Sequence, residues 1–351
     1  MAKKQQNCYL NYWKGIACFG VVFVHTRFPA YILDGMLQTI FRFSVPLFFM
    51  ISGYYSYGED RKLIEKKLHG KTKRIFWINL GGCFYYFVVQ MAIALLGDSH
   101  GSMKDVIERL HMMFNRRAII DWIVFNQDPF INIMWFTSAL WYCYLVFWVI
   151  NHFNLYRVFY TLIPVFLTIH LVLGNFLTLL GMEIPKVYYR NFLLFGLPFF
   201  MLGNWVHKHQ NDILEKLTQQ RCHRVLIVGI LLGIMEWFLV GRREMYIGTL
   251  GTVISIYLLA LHQPEKEKNS FITQIGMHYS LFVYIVHYSL VIVMERFANR
   301  LIVPESKIYY IYMFVRPFLV FGLCVAGAYV FYRILEILRT RNISKENKID
   351  G

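Results

Sequence analysis

The sequence predicts an all-α integral membrane protein, a polytopic bundle of about ten transmembrane helices with both termini on the cytoplasmic side. Three observations predict it. Of 351 residues, 57% are hydrophobic and 18% aromatic while only 16% are charged, so long uncharged runs dominate the chain. Those runs have the roughly 17–25 residues that a helix needs to cross a hydrocarbon core of about 30 Å. The basic residues gather in alternate connections, and that bias sets the orientation.

In chain order the expected spans cover 13–29, 40–57, 75–96, 131–151, 157–180, 191–206, 223–240, 246–262, 279–294 and 308–333. The first is apolar but carries Lys14 and His25, and the second, "FRFSVPLFFMISGYY", carries Arg42 at its start. The third leaves a basic stretch, the fourth is rich in Trp and Tyr, and the fifth is leucine-rich. The sixth and ninth are short, to be accommodated either by less tilt or by flanking aromatics that lengthen them. Glu236 in "GIMEWFLVG" is the acid inside the seventh; the eighth is uncharged. The tenth is apolar except for Arg316, followed by Pro317, and that arginine should face protein or water rather than lipid. The longest connections are 58–74, 97–130 and 207–222, so residues 1–351 are expected to form a single membrane domain without an appended soluble one.

With the N-terminus inside, the cytoplasmic side takes the N-terminal segment with Lys14, the connections after spans two, four, six and eight, and the C-terminal tail. These hold most of the 36 basic residues. The richest connection is "EDRKLIEKKLHGKTKR", Glu59 to Arg74. The net charge of +15 is accounted for by this bias and by contact with anionic headgroups, so it gives no warrant for nucleic-acid binding. Cys8, Cys18, Cys83, Cys143, Cys222 and Cys324 show no C-x-x-C or C-x-x-H clustering, which argues against a metal site or redox pair. They read as small apolar packing residues. The first span is not a cleavable secretory signal, since no small-residue cleavage site follows it. No P-loop, G-x-G-x-x-G or G-x-S-x-G pattern occurs, which excludes the common soluble ATPase and hydrolase designs.

The first span, "NYWKGIACFGVVFVHTRFPA", poses the functional question. At 100° per residue Lys14 and His25 lie about 20° apart on one helix face, separated by about 16 Å along the axis. Either they snorkel to opposite surfaces, or they form a polar stripe facing the interior of the bundle.

These residues also carry a family resemblance. "YWKGIACFGVVFVHTRFPA" and "FRFSVPLFFMISGYY" resemble the opening of acyltransferase family 3, marked by a basic residue, ten intervening residues and a histidine, then a Pro/Leu/Phe/Phe…Ser-Gly run. Lys14 stands at the basic position, more often Arg, and His25 at the histidine. "KTKRIFW", "MWFTSALWYCYLV", "YRNFLLFGLPFFMLGNW" and "HYSLFVYIVHYSLV" continue the resemblance in order along nearly the whole chain.

The resemblance implies transfer of an acyl group, usually acetyl from acetyl-CoA, to a hydroxyl of an extracytoplasmic or lipid-linked glycan or a small molecule, in a bacterial plasma membrane. Acetyl-CoA is then a donor substrate and no cofactor is permanently bound. A hydroxyl is a poor nucleophile, so a neutral imidazole within hydrogen-bond reach is useful as a general base, and His25 is the candidate. Lys71, Lys73 and Arg74, with Lys14, offer cations to the CoA phosphates. His287 falls where the family often has a histidine, though a histidine at the aqueous end of a helix is an equal reading. Arg42 and Arg190 flank the outer ends of their spans, where headgroup contact or an anionic acceptor would suit them. Glu236 reads as a partner for an intramembrane cation or as a boundary residue. Trp135, Trp141 and Tyr142 resemble the fourth-helix motif, but aromatics at span ends are usually belt residues. Ser52 has no adjacent base and is a poor nucleophile, and Gly53 suits tight helix packing. "VIERLHMMF", within 104–128, reads as an amphipathic helix on the outer surface.

Without an appended domain, transfer is expected to be completed by the membrane domain or by a partner, which favours a lipid-linked sugar or small molecule over a distant polymer. A transporter or flippase is the alternative, since a stripe from Lys14 to His25 would also line a translocation path.

Overall fold

Among residues 7–95, 103–304 and 306–349, which the computed structural model describes, every regular element is helical and no strand occurs. Six segments are long and apolar enough to cross a membrane: Tyr31–Tyr54, Arg61–Leu95, Tyr156–Leu179, Gln219–Val240, Phe271–Leu301 and Lys307–Thr340. They occupy the second, third, fifth, seventh, ninth and tenth expected positions. The other four are helical as Cys8–His25, Trp135–His152, Leu197–Lys208 and Ile247–His262, but are shorter or richer in polar and aromatic residues. The expected end of the third span at 96, and positions 97–102 of the connection after it, lie outside the described residues.

Several boundaries differ from expectation for identifiable reasons. Helix begins at Tyr31 rather than 40, pauses at Arg42 and Phe43, and resumes over Ser44–Tyr54. Its polar residues Asp34 and Gln38 are buried, and Asp34 accepts the Phe28 N–H at 2.9 Å. The basic connection after the second span is not a loop. Asp60 accepts the N–H groups of Lys62 and Leu63, as a helix cap does, and a single helix then runs over Arg61–Leu95. The last helix likewise continues through the basic tail, over Lys307–Ile349. The expected amphipathic helix is present as Met103–Met113, followed by Arg116–Phe125.

The chain divides into two compact units, Met1–Asp34 with Gln263–Gly351, and Gly35–His262. In the first unit, Asn7 caps the helix Cys8–His25 by accepting the Leu10 N–H at 2.8 Å, and the Cys8 N–H reaches the Pro264 carbonyl at 2.7 Å. Phe19 packs on Phe318 and Phe321, and Phe28 on Phe314.

The second unit is built round a crossing of Ser44–Tyr54 with Leu197–Lys208. Phe49, Met50, Phe147, Phe199 and Phe200 are fully buried there. Glycines let the two backbones meet: a Cβ on Gly53 would overlap the Phe200 carbonyl, and one on Gly203 the Met50 carbonyl. The outer faces are apolar instead of polar. Only 17% of the apolar window in Gln219–Val240 is buried, so Ile227, Val228, Leu231, Phe238 and Leu239 present a surface suited to lipid.

Gly203→Val should therefore lower the thermal midpoint of the purified protein, by an overpacking cost of about 1–3 kcal/mol. Gly70→Ala, with open space around its Cα, should leave the midpoint unchanged or raise it; equal effects of the two would refute the crossing.

Candidate functional site

Lys14 and His25 stand on one unbroken helix, Cys8–His25, and both are half-buried. Lys14 lies within electrostatic reach of Cys18, whose thiol faces the Ser280 carbonyl at 3.9 Å. At the other end of this helix the His25 ring is 5.3 Å from that of His287 and 5.4 Å from that of Tyr288, centroid to centroid. His287 is fully buried. Its Nδ1 faces the carbonyls of Val283 and Tyr284 at 3.0 and 2.8 Å, and since carbonyls only accept, Nδ1 carries the proton. Nε2 is left with its lone pair and no protein partner. The same unit holds Arg316, 4% exposed, which donates to Glu295 at 2.8 Å and to the Arg27 carbonyl at 3.2 Å and lies over the Tyr312 ring. Arg316 thus faces protein, as its position in an apolar span requires.

In the second unit, Glu244 gathers three cations. Its carboxylate meets Lys186 at 3.1 Å, Arg42 at 3.3 Å and Arg190 at 3.6 Å. Burial alone would raise the pKa of this carboxyl, but Arg190, Arg42 and Lys186 outweigh it and hold it well below the usual carboxylate range. Arg190 is aimed by its surroundings. Gln127 donates to the Arg190 carbonyl at 2.9 Å and accepts from its guanidinium at 3.1 Å, Asn132 accepts a second N–H, and the Trp135 ring lies 5.2 Å beneath. Asn126 holds these segments together by accepting the Phe192 N–H and donating to the Trp135 carbonyl. Trp135 is consequently a buried platform, 8% exposed, and not a belt residue.

At the basic end of Arg61–Leu95, Lys71 donates to the Tyr55 carbonyl at 2.8 Å and to Ser56 Oγ at 3.1 Å, while Lys73 and Arg74 are exposed. Ser52 turns its hydroxyl to the Phe48 carbonyl within its own helix. Glu236 accepts the N–H groups of Ile247 and Gly248 at 3.0 and 2.9 Å, so it caps the following helix through backbone hydrogen bonds.

The structure therefore brings His25 together with His287, and Arg42 together with Arg190. Glu236 joins neither group. Sequence reasoning missed Glu244, Lys186, Glu295 and the pair Gln127 and Asn132. Glu244 carried a legible signal, an acid directly after two arginines in "GRREMY" at a predicted outer end; the two amides carried none.

A further buried acid, Asp128, sits in the connection before Trp135–His152 and accepts the N–H groups of Phe130 and Ile131. Burial outweighs those hydrogen bonds and pushes its pKa from 3.8 up to about 7. The folded chain holds this proton up to about pH 7 where the unfolded chain releases it near 3.8, so the stability it contributes is present below 3.8 and lost as pH rises through 7. Asp128→Asn keeps the acceptor without the charge. Its thermal midpoint should exceed the wild-type value increasingly between pH 4 and pH 8; a difference that does not change with pH would refute the assignment.

Comparison with curated proteins gives no match, and comparison with solved structures gives none. A family model for an acyltransferase domain, that of acyltransferase family 3, matches residues 7–333. With its apolar helices and this match over nearly its full length, the chain belongs to acyltransferase family 3 and is a multi-pass membrane acyltransferase.

Proposed function

We propose that this acyltransferase is an O-acetyltransferase of the bacterial plasma membrane. It takes an acyl group, acetyl by preference, from cytoplasmic acyl-CoA and delivers it to a hydroxyl of an extracytoplasmic or lipid-linked glycan or small molecule. The observation that carries this reading is the pairing of His25 with His287 at the end of the first helix, opposite Lys14. Acyl-CoA is a donor substrate and no cofactor is resident.

The reading includes ten spans in one membrane domain over 1–351, N-in and C-in. Contacts between the connections support it. Within the second unit, Arg42, Gln127, Arg190 and Glu244, all expected outside, lie together. Arg61 donates to the carbonyls of Asn151 and His152, and His262 meets the Leu217 carbonyl, all of them expected inside. In the first unit, Lys266 lies over the Tyr9 ring, again joining two expected inner segments. Six spans alone would not require this alternation.

In the chemical step His25 accepts the proton of the acceptor hydroxyl as its oxygen attacks the thioester carbonyl. The C–S bond breaks, CoA leaves as a thiolate, and the proton that His25 accepted passes to that thiolate, which returns the imidazole to its neutral form. His287, with its Nδ1 proton committed to backbone carbonyls, packs its ring 5.3 Å from that of His25 and buries one side of that imidazole. Lys71, Lys73 and Arg74 bind the phosphates of the donor, and Lys14 is the cation of the His25 helix. Within the second unit Arg42 and Arg190 serve the acceptor, and Glu236 supports them by fixing the helix that follows Glu244; within the first unit Arg316 is a separate candidate for binding the acceptor.

His25→Ala should lower acetyl transfer by at least about 100-fold while acetyl-CoA still stabilises the purified protein. Lys73→Ala with Arg74→Ala should weaken that stabilisation about tenfold. Full activity of folded His25→Ala would refute the base assignment, and no stabilisation by acetyl-CoA would refute the donor.

A further inference from the structure

The Glu244 cluster is unusual in its balance of charge. One carboxylate, 10% exposed, is shared by Arg42, Lys186 and Arg190, whose side chains are 17%, 59% and 11% exposed. Arg243, the residue before it, pairs with an exposed Glu183 at 3.8 Å. The group of three therefore carries two positive charges in excess of Glu244, two of its members being largely withdrawn from water.

Stability does not explain such an arrangement. Desolvating several charges costs more than a buried ion pair commonly returns, and apolar residues of similar volume serve a core as well. The Nε of Arg190 is buried and meets no protein acceptor, although its Nη atoms are fixed by Gln127, Asn132 and Glu244. A guanidinium held by amides on one side, over a Trp ring, keeps its fork geometry for a tetrahedral or planar oxyanion. Lys186, the exposed member, places the opening of the cluster at the solvent side.

We propose that Arg42, Lys186 and Arg190 form a binding site for a phosphate ester, and that Glu244 is the internal carboxylate that such a phosphate displaces from the two arginines. A phosphate monoester carries two negative charges and matches the excess of the cluster, a diester carries one and meets half of it, and the oxygens of either can reach the arginine forks and the Lys186 ammonium. Glu244 keeps the cations together until the ligand enters and makes entry competitive, so the site takes strong anions and passes over weak ones. The phosphate can belong to a soluble phosphorylated acceptor or to a lipid. The inference rests on the acceptor-side reading above, yet phosphate binding is measured without turnover, so its failure would leave the His25 assignment untouched.

The test is a titration of inorganic phosphate at constant ionic strength, balanced with chloride, into the full chain in detergent, following thermal stability. A saturable rise in midpoint is expected. It should be lost in Arg190→Gln and weakened in Lys186→Gln, an exposed change that leaves folding intact. In Glu244→Gln, which removes the competitor, half-saturation should fall about tenfold, the equivalent of one lost charge-assisted hydrogen bond. A second arm uses nanodiscs of phosphatidylcholine with or without phosphatidylglycerol. Phosphatidylglycerol that raises the midpoint and competes with inorganic phosphate identifies a lipid phosphodiester as the ligand; an unchanged phosphate titration in both discs identifies a soluble phosphate ester. A phosphate response that is absent, or that persists unchanged in Arg190→Gln and Lys186→Gln, would overturn the proposal, as would a Glu244→Gln protein that only loses stability.

Discussion

An ionisable group carried into a bilayer has neither water nor counter-ion around it, so the protein must supply its partner. The arrangement of this chain follows from that constraint. Arg316 interrupts an apolar helix and finds Glu295 and the Arg27 carbonyl. Arg42 and Arg190 reach one carboxylate, Glu244, from a different stretch of chain. The unburied faces of Gln219–Val240 and Lys307–Thr340 are apolar and are left to lipid.

The same absence of water removes the hydrophobic drive that joins helices in soluble proteins, so their association depends on close approach. Gly53 and Gly203 bring two backbones together at the centre of the second unit, and Gly15 with Gly276 does so in the first. Three helices also carry a widened turn, at Val172–Phe176, Phe192–Gly196 and Ile275–Tyr279. Such turns recur near functional positions because they shift the phase of the side chains that follow. The second of these lies just after Arg190, and the third just before the helix that carries His287.

Two kinds of charge serve two kinds of chemistry. An imidazole can give and take a proton near neutral pH, which suits activation of a hydroxyl. Guanidinium groups keep their charge and cannot move a proton, which suits recognition of an anion. The proposed function assigns the first to His25 and His287 and the second to the arginines around Glu244. The Asn126, Gln127 and Asn132 amides supply the rigidity that recognition needs, without adding charge.

Composition and hydropathy alone determined the all-helical, membrane-embedded character of the chain, because bilayer thickness and the cost of unpaired backbone polar groups leave a segment few alternatives. Spacing placed Lys14 and His25 on one face of one helix, because helix periodicity is local. The resemblance carried by "YWKGIACFGVVFVHTRFPA" identified the family that the match over residues 7–333 then established. Segment ends were less legible: Asp34 and Gln38 look like loop residues until their burial is known, and Asp60 starts a helix where basic residues suggested a connection. Glu236 and Glu244 show what only tertiary structure decided. Each is an acid near the end of the seventh span, eight residues apart, yet one caps a backbone and the other holds three cations, since partners from Arg42 and Arg190 arrive across sequence separations that no local pattern records.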